Sequence, residues 1–198
     1  MIQAGRVGYA EAWRLQEDLV RRRADGEIAD TVIVCEHDPV YTVGRRQGAM
    51  GNLLDVGEVP VFEVERGGDV TWHGPGQVVV YPIVLTSDLH AHMHRLEDLM
   101  IAVCGDFGLE AGRDSRNTGV WTLPSGPEAR KLGSIGIACR RWVTWHGLAL
   151  NVCPDLSYFA RIHPCGFASS IMTSMAAEGV DVGVEPVADA FVARVRNW

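Results

Sequence analysis

Residues 9–23 carry apolar side chains at helical spacing, with Trp13, Gln16, Leu19 and Val20 on one side, and the run stops at Asp25-Gly26. That pattern predicts an amphipathic helix. Residues 31–36 are β-branched or apolar almost throughout and predict a buried strand. The segment 37–44 reads as a loop running into a short extended piece. Residues 61–64 and 78–85 predict two further strands, with a glycine-rich connection between them. Asp88 is placed to cap a second helix reaching about Phe107, with Leu89, Met93, Leu96, Met100, Val103 and Phe107 as its inner stripe. Residues 117–122, 133–139 and 142–152 read as strands, the last two forming a hairpin across Arg140-Arg141, and a tail helix is expected over 187–197. Helices and strands mix without strict βαβ alternation. The expected fold class is therefore α/β, a mixed β-sheet flanked by helices in one domain spanning residues 1–198.

Composition narrows the class. With 47% hydrophobic and 22% charged residues the chain is of ordinary globular type, long enough to bury a core without disulfides or structural metal. The longest strongly apolar run, 78–85, contains Pro82 and is far too short to span a bilayer. The first residues show no basic-then-apolar export pattern, so a cytoplasmic location is expected. A net charge of −7 argues against a general nucleic-acid binder. Short arginine clusters at residues 21–23, 45–46 and 140–141 are solvated surface or docking points for an acidic partner.

The five cysteines include no C-x-x-C, which fits neither a disulfide framework nor a zinc site. Cys35, Cys104, Cys139 and Cys153 sit in apolar contexts and read as small core residues. Cys165 differs, because Pro164 before it fixes φ and Gly166 after it is permissive, a setting that presents a side chain at a pocket mouth.

Lys131 is the only lysine among 18 basic residues. A position that keeps lysine in an arginine-rich chain points to a compact ammonium able to give up a proton, or to chance survival under coding bias. It opens the small-residue segment Lys131-Leu132-Gly133-Ser134-Ile135-Gly136-Ile137. Arg66-Gly67-Gly68-Asp69-Val70-Thr71-Trp72-His73-Gly74-Pro75-Gly76-Gln77 is the densest special-residue stretch, read as a pocket-wall loop that holds His73, with Arg66 as a clamp. It is neither a Walker loop nor a dinucleotide fingerprint. His90, His92 and His94 read as solvent-facing rather than as metal ligands, and His146 as a packed core histidine.

These segments, with Glu36-His37-Asp38-Pro39-Val40-Tyr41-Thr42-Val43-Gly44, His146-Gly147-Leu148-Ala149-Leu150-Asn151-Val152, Pro164-Cys165-Gly166 and Thr173-Ser174-Met175, resemble the lipoyl(octanoyl) transferases in motif order. Gly133, where that family often has alanine, and 167–171 are mild departures. The resemblance implies the fold shared with biotin and lipoate protein ligases. It also implies transfer of octanoyl from acyl carrier protein to a lipoyl-domain lysine, on 2-oxoacid dehydrogenase complexes and the glycine cleavage H protein. Cys165 corresponds to the thioester nucleophile and Lys131 to the residue that lowers its pKa. Arg66, Gly67, Gly68, Asp69, Val70, Thr71, Trp72 and His73, then Ser134, Ile135 and Gly136, then Gly147, Leu148 and Ala149 correspond to substrate-binding segments. Gly133, Gly136 and Gly147 would leave room for the acyl chain, and oxyanion donors would come from Cys165 with Gly166 or from the glycine-rich loop. No cofactor, ATP or metal, no nucleic acid, no membrane and a monomer are expected. Three other readings compete: an ATP-dependent ligase on the same fold, a hydrolase pairing Cys165 with His73 or His146, and an idle acyl-binding module.

Overall fold

Side chains alternate between the two faces of a strand, yet β2 (Thr31–His37) and β6 (Gln77–Ile83) are apolar on both. The computed structural model, which describes residues 1–196, shows why. Val32, Val34, Val78 and Val80 pack on one side against α2 (Leu89–Asp106) and α3 (Val184–Val195). Ile33, Cys35, Val79, Tyr81 and Ile83 pack on the other side against Ala12, Leu19 and Val20 of α1 (Tyr9–Ala24). A sheet covered on both faces reads as a continuous apolar run, not as alternation.

The main sheet has seven strands in the order β1-β2-β6-β10-β9-β8-β7, with β1 at Ile2–Val7, β7 at Ala111–Gly112, β8 at Gly119–Thr122, β9 at Lys131–Arg140 and β10 at Val143–Asn151. Only its β1–β2 pair is parallel among the described residues. A smaller sheet has the order β4-β3-β5, with β3 at Val40–Val43, β4 at Val61–Glu63 and β5 at Val70–His73. The sheet flanked by helices is the expected architecture. The β9–β10 hairpin turns at Arg141 and Trp142, whose φ values of 51° and 65° suit the right-handed twist of the flanking strands. Trp142 therefore lies in the turn rather than in the strand. Asp88 caps α2 by accepting from the amides of His90 and Ala91 at 2.9 and 3.0 Å.

Several local expectations change. β1 was not anticipated, because its residues are mostly polar or small and it runs along the sheet edge. His73 ends strand β5 instead of sitting in a loop. His92 is buried on α2 with its pKa pushed down to about 4 by burial, while His90 and His94 are exposed. Cys139 and Cys153 are exposed, since β9 outruns its cover near Arg140 and Cys153 lies just past β10. The tail helix begins earlier, at Val184, and Asn197 of the expected helix lies outside the described residues. Among the described residues no helix is long and apolar enough to cross a membrane.

Candidate active site

Lys131 is the first residue of β9, where its carbonyl accepts from the Thr173 amide at 3.0 Å. Its side chain is only 2% exposed. The Nζ donates to Asn117 Oδ1 and, at 2.9 Å, to the Thr118 carbonyl, and it lies 5.3 Å from the centre of the Trp121 ring. Burial pushes the Lys131 pKa down, and the negative charges of Cys165 and Glu97 oppose that shift. Glu97 is itself buried on α2, accepting from the Gly119 amide at 3.0 Å and from Arg113 Nε at 2.6 Å.

Cys165 sits within the short 3-10 turn Pro164–Gly166 at φ 55°, ψ 23°, a left-handed conformation uncommon for a side-chain-bearing residue. Gly166 follows at φ 80°. The turn is closed by the Gly166 amide donating to His163 O and the Phe167 amide to Pro164 O, each at 3.0 Å. Arg46 Nη1 donates to the Cys165 carbonyl at 3.2 Å. The loop thus lifts a free, partly exposed thiol toward Lys131. The Gly166 N–H, one of the expected oxyanion donors, is committed to the turn.

Lys131 and Cys165 line one pocket. One wall comes from Arg66, Gly68 and Asp69 of the β4–β5 connection with Val70, Thr71 and His73 of β5. The other comes from Ser134, Ile135 and Gly136 of β9 with Gly147, Leu148 and Ala149 of β10. Two of the residues expected there point elsewhere. Trp72 stacks on Tyr158 at 4.7 Å, because strand alternation turns it away from the side shared by Thr71 and His73. Gly67 is used as a strut, its amide donating to Ile137 O at 2.8 Å. Tyr9, Val79, Tyr81, Pro164 and Met172 also line the pocket and were not anticipated; in sequence they look like any core residues.

Arg66 is the expected clamp. Its Nη2 donates to Thr42 O and Oγ1 at 2.8 Å each, and Nη1 donates to Gly67 O at 3.0 Å. The glycines beside it permit close approach more than they leave room for a ligand. A Cβ on Gly136 would come 2.9 Å from Arg66 Cδ, and one on Gly147 would come 2.1 Å from Val80 O. A Cβ on Gly133 would meet Met100 Sδ at 2.6 Å, on the α2 side, so the expected place of Gly133 beside the acyl chain is corrected.

The pocket histidines are held neutral. His73 stacks on Tyr9, its Nδ1 lies 3.1 Å from Gln77 Oε1, and burial with the nearby His37 and Arg66 pushes its pKa down to about 3. His146 is pushed to about 3 by burial and by Arg66. Such weakly basic imidazoles are poor partners for a thiol, which disfavours the Cys–His hydrolase reading. They also carry a stability consequence. A histidine whose folded pKa lies below its unfolded value of about 6.5 stabilises the fold fully above that pH, and loses this contribution as pH falls toward the folded pKa. Chemical denaturation at pH 7.5, 6 and 5 is expected to show stability dropping below pH 6.5 by up to about 1.4 kcal/mol per pH unit for each buried histidine. Flat stability down to pH 5 would contradict the burial of His73, His92 and His146.

Comparison with known proteins agrees with this architecture. Residues 8–196 match the lipoyl protein ligase A/B catalytic domain family. An octanoyltransferase of Syntrophotalea carbinolica is 50% identical over 175 residues, covering 86% of this chain and 80% of that protein. One from Acidothermus cellulolyticus is 45% identical over 198 residues, covering 98% of this chain and 89% of that protein. A bi-partite lipoate protein ligase from Thermoplasma acidophilum superposes with a TM-score of 0.69 at 17% identity, covering 98% of this chain and 82% of the other, a likeness of fold. With that match over residues 8–196 and relatives this similar, the chain belongs to the lipoyl protein ligase A/B catalytic domain family.

Proposed function

We propose that the chain is an octanoyltransferase of lipoate biosynthesis, an acyltransferase that passes octanoyl from a carrier-protein thioester to a lysine amine through a thioester on Cys165. Residues 1–198 act in this reading as one catalytic domain, with acyl carrier protein as donor and lipoyl domains as acceptors, in the cytoplasm. The observation that carries it is a free thiol on a left-handed turn, opening into the same pocket as a buried lysine.

In the first step the Cys165 thiolate attacks the donor carbonyl, the old C–S bond breaks, and the leaving thiolate takes a proton from Lys131. One thioester replaces another, so the exchange is close to balanced. In the second step the acceptor amine attacks, Lys131 (now neutral) takes the amine's proton, and Cys165 leaves as thiolate. Amide formation from a thioester is downhill and uses no ATP. Arg66, Gly68, Asp69, Val70, Thr71, His73, Ser134, Ile135, Gly136, Gly147, Leu148 and Ala149 hold the acyl chain in this scheme, with Arg66 keeping the two walls at fixed spacing. Burial of Lys131 serves the second step, because it makes the neutral amine accessible.

The test is intact mass after incubation with octanoyl-carrier protein, followed by addition of a lipoyl domain. One octanoyl adduct, released by hydroxylamine and moved to a domain lysine, is the expected result. Transfer without an adduct would point to direct attack, and an adenylate on addition of ATP would point to a ligase.

A further inference from the structure

The Lys131 ammonium has three N–H bonds, and two of them already have owners. Asn117 Oδ1 and the Thr118 carbonyl each accept one. Lysine has no acceptor, so it is the amide oxygen of Asn117 and not its nitrogen that faces Nζ. The acceptors are themselves anchored. Trp121 Nε1 donates to the Asn117 carbonyl at 2.9 Å, and the Gly119 amide donates to Glu97 Oε1 at 3.0 Å, pinning the backbone on both sides of Thr118. Beyond these two acceptors, Nζ has the Trp121 ring 5.3 Å away, and Lys131 and Cys165 line the same pocket.

We propose that Asn117 is the positioning residue for Lys131: with the Thr118 carbonyl it aims the third N–H of the ammonium at the leaving thiolate, and the lone pair of the neutral amine at the incoming acceptor. The inference rests on the two-step reading above. The geometry serves both steps because removing the third proton leaves two N–H bonds on the same two acceptors, so the lone pair takes the vacated direction. Both acceptors are neutral, so they orient the group without fixing it in the charged form. A carboxylate in place of Asn117 would fix it. The charged and titratable groups around Nζ are Cys165 from the Pro164–Gly166 turn and Glu97 from α2. Glu97 is paired with Arg113 at 2.6 Å and lies 3.1 Å from His94 Nδ1, and Arg116 sits 4.5 Å from the centre of the Trp121 ring.

Single-turnover acylation and transfer, measured separately from pH 6 to pH 10 on the full chain, test this. Asn117→Asp keeps shape and acceptor but adds a negative charge, which favours the ammonium. Its acylation is expected to slow, because an ammonium held by a carboxylate gives up its proton to the leaving thiolate less readily. Its transfer step is expected to slow at least about tenfold at pH 7, recover at high pH, and show a rising limb displaced upward by about one unit or more. Asn117→Leu removes the acceptor, and both steps are expected to slow through kcat with KM for either substrate unchanged. Wild-type pH midpoints and rates in both variants would overturn the proposal. If Asn117→Leu does not fold, the isosteric Asn117→Asp decides alone. A wild-type enzyme that forms no acyl-Cys165 would overturn the two-step reading and this inference together; normal wild-type acylation with unmoved variants would overturn this inference only.

Discussion

A Lys131→Arg variant is expected to lose octanoyl transfer by about 10³-fold or more, the upper part of what a positioned proton donor and acceptor supplies. Guanidinium keeps the positive charge but does not deprotonate in proteins, so it cannot accept the amine's proton in the second step. Bulk adds to the loss. Lys131 is 2% exposed, and the approach of Gly119 to its Cε is close enough that a Cβ there would stand 2.9 Å away. A larger head group in this slot costs on the order of 1–3 kcal/mol of stability. Lys131→Met separates the two effects, since it nearly matches the side chain in volume and has no proton to move. Steady-state transfer with a melting curve for each variant is the measurement. Wild-type rates in either variant would remove the proton-shuttle role from Lys131.

Cys165→Ala is expected to abolish both the octanoyl adduct and transfer, with no loss of folding. The turn at Pro164–Gly166 is closed by backbone bonds from Gly166 and Phe167, and none of them uses the Cys165 side chain. Alanine in place of Cys35, Cys104, Cys139 or Cys153 is expected to leave the adduct intact. Cys139 and Cys153 are exposed and their replacement should be silent. Cys35 and Cys104 are buried, with thiol pKa values pushed up by burial, so they are unreactive and their loss should lower stability instead of acylation. An adduct on Cys165→Ala protein, located by peptide mapping, would move the nucleophile elsewhere.

How much of this was legible beforehand differs from element to element. The strands 31–36 and 78–85 and the helix after Asp88 were readable because apolar periodicity and a cap are local properties of the chain. β5 was not, since four residues of strand are hidden in a glycine-rich stretch and become a strand only by pairing with β3. The exposure of Cys139 and Cys153 was equally hidden, because apolar neighbours say nothing about where a sheet outruns its cover. The sequence-level reading of Cys139 and Cys153 as core was therefore wrong, while the same reading held for Cys35 and Cys104.

For the site, the residue types and their order along the chain were enough to single out Lys131 and Cys165 and to name the family. A lone lysine and a cysteine between proline and glycine are chemical facts that need no coordinates. Packing alone decided the rest. Trp72 and Gly67 belong to the pocket segment by sequence but face away from the pocket, because strand alternation and one backbone bond turn them out. Tyr9 and Met172 enter it from opposite ends of the chain. Asn117 carries no signal in the sequence, for its meaning lies in which nitrogen its amide oxygen meets. A composition or a motif specifies chemistry at a position, but the direction of a lone pair depends on contacts that form only when strands pair, as β8 and β9 do where Asn117 meets Lys131.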